Sequence, residues 1–213
     1  MPLEHATARV CREAGDRVTM HTRLANLNIP AIQRVDDRTI EVIAYGLPLW
    51  HGSQFAIDTT LVSPLTSAGQ PRRRGGEYAA AALHTARHTK ENIYPELFAS
   101  NRCRLVVLGL KVGGRWSMET VEFLRLLAQH KANAVPAPLR QATVTSLVSG
   151  WLAILTHAAM HAYAASLLCL PADGAIPTTT ALHYTTLQYN YAHDTLHYNT
   201  LHYTTLWCTT LQY

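Results

Sequence analysis

Two carboxylates, Glu41 and Asp58, stand in neighbouring runs whose composition suits β-strands. Thr39 to Ala44 and Phe55 to Val62 are rich in β-branched and aromatic residues, and Gly46, Pro48 and Gly52 punctuate the stretch between them, which predicts a hairpin. Successive strand residues point to opposite faces. Glu41 therefore falls on the face away from Ile40 and Val42, and Asp58 on the face away from Phe55, Ile57, Thr59 and Leu61. A symmetric loop sets Gly46 against Ser53 and Leu47 against Gly52, and that register carried outward puts Glu41 directly across from Asp58. Like charges opposed across a strand pair are destabilising, so the pair calls for a compensating cation. Mg²⁺ fits, because it is commonly held by one or two carboxylates while keeping water and phosphate oxygens as its other ligands, an arrangement suited to phosphodiester hydrolysis. The competing reading is two acids on the solvated face of a hairpin.

Other residues could serve the same chemistry. Arg72, Arg73 and Arg74 lie in PLTSAGQPRRRGGEY, an exposed loop by its glycines and prolines, where they are available to phosphates or simply to water. Arg115 follows Gly113-Gly114 ahead of a helix start at Ser117, a place where a helix N-terminus and a guanidinium could hold a phosphate or where the chain merely turns. His84/His88 and His157/His161 have the i,i+4 spacing of metal ligands but lack the intervening Glu of a metalloprotease helix.

These residues need a scaffold, and the chain is long enough to build one. It has 213 residues, 48% of them apolar. From Thr178 onward there is no Lys or Arg and one acid, Asp194, so all 18 basic side chains lie before it against 13 acidic ones. That excess of about five positive charges is compatible with a polyanionic partner. Only Lys90, Lys111 and Lys131 are lysines, so a reaction needing an ammonium has few candidates. Four scattered cysteines without a C-x-x-C pair argue against a zinc knuckle or a disulfide framework. The first residues mix acid and base with no apolar core, so no signal peptide is expected, and an intracellular location, nuclear or cytoplasmic, is.

Leu3 to Ala14 has helical apolar spacing with Gly15 to stop it, and Arg17 to Leu24 alternates like a half-buried strand. Ala79 to Ile93 is an alanine-rich helix ended by Pro95. The run LVVLGL within Arg104 to Leu110 is short and wholly apolar, as expected of a central strand buried on both faces. Ser117 to His130 is a helix with Val121, Leu124, Leu127 and Ala128 as its stripe. Gln141 to Ala172 contains no charged residue. A membrane span is possible on length, but His157, His161 and scattered Ser and Thr favour a helix packed on the sheet, so no stable membrane association is expected. The fold class is α/β (α+β): a small mixed sheet flanked by helices in residues 1–172, then a low-complexity, irregular tail over 173–213.

That tail repeats HYTTL-like pentapeptides, with leucines at 182, 187, 196, 201, 206 and 211. Five residues match neither helix nor strand periodicity. Three copies of the nucleotide string CACTA encode His-Tyr-Thr-Thr-Leu, so the tail reads as translated satellite DNA.

Taken in order, LPLWHGSQFAIDTTLVSPL, KENIYPEL and LVVLGLKVGGRWS resemble the endonuclease region of site-specific non-LTR retrotransposon polyproteins, whose nuclease is restriction-enzyme-like, of PD-(D/E)xK type. The resemblance covers roughly residues 2–172. It implies a first strand acid at Glu41, a second in the D-x-T strand at Asp58 with Thr60, and a lysine moved onto the following helix, Lys90, ahead of Tyr94. Glu41 and Asp58 would hold Mg²⁺, Lys90 would orient the attacking water or stabilise the phosphorane, and Arg115 would help hold DNA. The partners implied are DNA and retroelement RNA. The first acid stands in Ile-Glu-Val where the family has Pro-Asp, and the chain carries no reverse transcriptase core or zinc knuckle. The alternative is therefore a catalytically inactive retroelement remnant, a small α/β scaffold with at most weak nucleic-acid binding.

Overall fold

A computed structural model describes residues 2–63, 80–112 and 114–167. The arginine loop with Arg72, Arg73 and Arg74, Gly113, the domain boundary at 172 and the pentapeptide tail lie outside the described residues. The chain divides into two units, Met1–Ala165 and Ser166–Tyr213, and the fold below is that of the first.

The fold is α/β, a five-stranded mixed sheet with helices packed against it. Helix α1 (Leu3–Ala14) ends where Gly15 takes a left-handed φ of 110° and donates its N–H to Arg12 O. Strand β1 (Arg17–Arg23) then opens an antiparallel meander with β2 (Thr39–Tyr45) and β3 (Gln54–Val62). Helices α2 (Ala81–Ile93) and α3 (Pro95–Phe98) carry the chain over to β4 (Cys103–Lys111), which runs parallel to β3 over nine residue pairs. A two-residue β5 (Arg115–Trp116) turns back on β4, and α4 (Met118–Ala132) and α5 (Arg140–Leu167) follow. The strand order is the chain order, β1 to β5.

Each face of the sheet is covered by a different set of helices. Val42, Ala44, Phe55, Ile57, Val106 and Leu108 share a core with α1, α4 and α5, whereas Ile43, Ala56, Leu105 and Val107 pack under Tyr94 and Leu97. The second cover decides the chemistry, because it lies over the face that bears Asp58.

Two expectations change in detail. Strand β4 is buried on both faces but is not central, since its outer edge is paired only at Leu110 and Lys111. Burial on both faces needs helices above and below, which β4 has, and not two full strand neighbours. Helix α2 ends at Ile93 ahead of Pro95, as expected, and Pro95 also starts α3, since a proline at the first helical position gives up an N–H that would have no partner there. The buried residues of α4 are Thr120, Phe123, Leu124, Leu127, Ala128 and Ala132; Leu124, Leu127 and Ala128 are as expected, whereas Phe123, packed edge-on against Phe55 at 5.6 Å, takes the place of Val121, which is half-buried. Ser117 caps α4 as expected, its Oγ accepting the Thr120 N–H at 3.2 Å.

The β2–β3 connection holds two consecutive left-handed residues, Trp50 (φ 43°) and His51 (φ 61°). Left-handed geometry costs about 1–2 kcal/mol for a residue with a Cβ. It is offset by the Trp50 ring, which packs on Phe55 and Phe123 at centroid distances of 5.0 and 6.3 Å and lies 4.2 Å under the Arg104 guanidinium. Helix α5, without an Asp, Glu, Lys or Arg after Arg140, sends Trp151, Leu155 and Ala158 into the first core, and Trp151 Nε1 donates to Glu13 Oε2 at 3.0 Å. By length and composition alone the run Ala137–Ser166 could also cross a membrane; 28% of its most apolar window is buried here.

Candidate functional site

The ladder between β2 and β3 pairs Val42 with Ile57, Ile43 with Ala56 and Ala44 with Phe55. This is the register the symmetric loop predicts, and one step further it sets Glu41 opposite Asp58. The paired residues stop at Val42 and Ile57, so the two acids stand where the strands begin to part. On the other side of Glu41, the β1–β2 ladder skips one position: Met20 pairs with Val42 and Thr22 with Ile40, while His21 between them takes φ 49° and reaches Glu4 of α1 at 3.6 Å. Glu41 thus sits at an interruption of the ladder on both sides.

Asp58 is not on a solvated face. It is 1% exposed, because α2 and α3 close over that side of β3 and β4. Burial of a carboxylate requires a partner, and α2 supplies it: Lys90 Nζ donates to Asp58 Oδ2 at 3.0 Å and lies 2.8 Å from Oδ1. The contact to Oδ1 lacks hydrogen-bond geometry, so this buried oxygen has no hydrogen bond of its own. Glu41 is half-buried and oriented by the next residue along β3. Thr59 donates both its backbone N–H, at 2.8 Å, and its Oγ1–H, at 2.6 Å, to Glu41 Oε2.

The electrostatics follow from this packing. Burial pushes the Glu41 carboxyl up from its ordinary value; the Thr59 donors and Lys90 pull it back, and the Asp58 charge pushes it further up. The Tyr94 phenol is pushed up to about 12, by burial first and then by the neighbouring Asp58 and Glu41 charges. Tyr94 keeps its proton at any ordinary pH, and its OH donates to Thr39 O at 3.1 Å. It is a hydrogen-bond donor that also fills the core beside Leu97, and not a base.

Glu41, Asp58, Lys90 and Tyr94 are therefore brought together from β2, β3 and α2, with Tyr94 at the junction of α2 and α3. Arg115 is not. It is exposed on β5 opposite Lys111, which pairs with Val62. Four residues along β3 and two strands across put it roughly 16 Å from Asp58. The pair His84/His88 on α2 stack edge-to-face at 4.3 Å, but His88 Nδ1 is engaged with Glu91 Oε2 at 2.8 Å, and no group of three metal-ligating side chains exists among the described residues.

Glu41 and Asp58 are the side chains here that could hold a hard cation that takes few protein ligands. Mg²⁺ is such an ion. A cleft of about 680 Å³ opens between α2, the β2–β3 connection and the start of β4, lined by Trp50, Arg87, Arg104 and Glu119 among others. It contains none of the four site residues. Thr59 is the functional residue that motif reasoning passes over, since its side chain alternates away from the two acids and only its hydroxyl and N–H reach Glu41.

A scan against protein families finds no match for this sequence, and a search of curated proteins finds none either.

Proposed function

We propose that this chain is a Mg²⁺-dependent DNA endonuclease, a nicking domain of the restriction-enzyme-like PD-(D/E)xK kind derived from a non-LTR retrotransposon. The observation that carries the reading is the ion pair between Lys90 and Asp58 beside Glu41. These residues are 17 to 49 positions apart in the sequence, and they are the ones that the motif resemblance singles out.

Glu41 and Asp58 would hold the metal, which when bound supplies charge neutralisation at phosphate and a more acidic water. Thr59 fixes the Glu41 carboxylate so that no reorientation is needed when charge develops. Lys90 carries the one ammonium of the site and would stabilise the negative phosphorane or steer the attacking water. Tyr94, with its proton held, supports the floor of the site beneath Asp58. Arg115, about 16 Å away, suits a contact with the DNA backbone beyond the cleaved bond and not the reaction itself. The product would be a nick whose 3′ hydroxyl can prime reverse transcription.

The second reading, an inactive remnant with weak nucleic-acid binding, is favoured by one observation: at 1% exposure Asp58 is closed off by Lys90. Relaxation of supercoiled plasmid with Mg²⁺ separates them. Nicking by the wild type that disappears in Asp58→Ala supports the nuclease, nicking that survives in Asp58→Ala removes this site from the mechanism, and no nicking by either protein favours the remnant.

A further inference from the structure

Three groups in the site carry formal charge: Glu41 and Asp58 are negative and Lys90 is positive. Both Asp58 oxygens lie within 3.0 Å of one ammonium, and Asp58 has almost no contact with water. A divalent ion added beside the ammonium would leave the site with an excess positive charge, and the two cations would share one carboxylate at close range. A divalent ion taking the place of the ammonium leaves it neutral. The Lys90 side chain is 25% exposed, so it has a path outward that Asp58 does not.

We propose that Lys90 is a resident stand-in for the divalent cation, held on Asp58 in the metal-free protein and released from it when the metal enters. Two functions then share one side chain. Metal-free, Lys90 keeps a buried carboxylate from unfolding the sheet; metal-bound, its ammonium is freed at the mouth of the site, where an anionic ligand arrives. Metal loading and arming of the lysine become a single event. The inference rests on the nuclease reading only for the identity of the ion, and it concerns regulation of that site and not the cleavage step.

The test uses the full chain and thermal unfolding with and without MgCl₂ or MnCl₂. Removing one member of a buried ion pair destabilises, so metal-free Lys90→Met should melt about 5–10 °C below wild type. Added Mg²⁺ should restore most of that loss, and Lys90→Met should bind Mg²⁺ at least tenfold more tightly than wild type. The neutralised double variant Asp58→Asn/Lys90→Met should melt near wild type and ignore Mg²⁺. Should Lys90→Met fail to fold, acylation of the wild-type lysine by acetic anhydride gives the same answer, since Lys90 labelling should rise several-fold with Mg²⁺. Equal or weaker Mg²⁺ binding by Lys90→Met, or Lys90 labelling unchanged by a metal that does bind, overturns the stand-in role while leaving the metal site intact. No response of wild type or Lys90→Met to either ion overturns the metal reading itself.

Discussion

Among the described residues two aspartates are buried, and they have opposite fates. Asp58, on β3, meets the ammonium of Lys90 and stands beside a second, well-oriented carboxylate. Asp16, in the turn between α1 and β1, is 6% exposed, and neither of its oxygens has a hydrogen bond of good geometry. Burial pushes its carboxyl up to about 7, and the nearby Leu47 backbone offsets this only in part. The comparison separates a buried charge that the fold has provided for from one that it merely tolerates. The provided one marks a site; the tolerated one lowers stability as pH rises.

The largest test of this contrast is Asp58→Ala. It should reduce nicking by about 10³-fold or more. It should also cost about 2–3 kcal/mol in chemical denaturation, because Lys90 loses its partner in a buried ion pair and keeps only the more distant Glu41 charge. Thr59→Val comes next. It deletes the 2.6 Å hydroxyl contact to Glu41 but keeps the N–H, and should weaken Mg²⁺ affinity by about tenfold as followed by the metal dependence of nicking, with Thr59→Ser restoring it. A wild-type response in Thr59→Val would show that the N–H alone positions Glu41.

Asp16→Asn should act in the opposite direction. The folded-state pKa is raised above the unfolded one, so the stability associated with protonated Asp16 is complete below about pH 4 and is lost as pH rises through about 7. Thermal melts should therefore show the variant more stable than wild type at pH 8, by about 1–3 kcal/mol, with a smaller gain at pH 5 and little difference below about pH 4. An equal gain at both pH values would mean that Asp16 is already ionised at pH 5. The smallest effect belongs to Trp151→Phe, which keeps the ring in the core but loses the indole bond to Glu13 and should cost about 1 kcal/mol in a urea melt.

Much of the local structure was legible in the residues. Gly15 after an amphipathic run marked the end of α1, and Ser117 marked the start of α4, because caps and left-handed glycines are local chemistry. The β2–β3 register followed from period-two side chains and a short loop, both short-range. What the sequence left open was which hairpin face would be wet. Asp58 reads equally well on a solvated face, and only the packing of α2 and α3 across that face removes it from water. The stripe of α4 was legible at Leu124, Leu127 and Ala128, whereas the Phe55 and Trp50 rings, brought in from outside the helix, select Phe123 over Val121 for the remaining place.

By itself, then, the sequence determined that Glu41 and Asp58 would lie opposite each other, because strand alternation and loop symmetry act over a few residues. Only the tertiary structure decided that Lys90, 32 positions beyond Asp58, closes on that carboxylate. The reason is physical: where α2 lands depends on apolar side chains from separate strands and helices finding one shared core, and a single buried charge can be placed only after that core exists. The same assembly left Asp16, in the turn after Gly15, with no hydrogen bond of good geometry to either carboxylate oxygen.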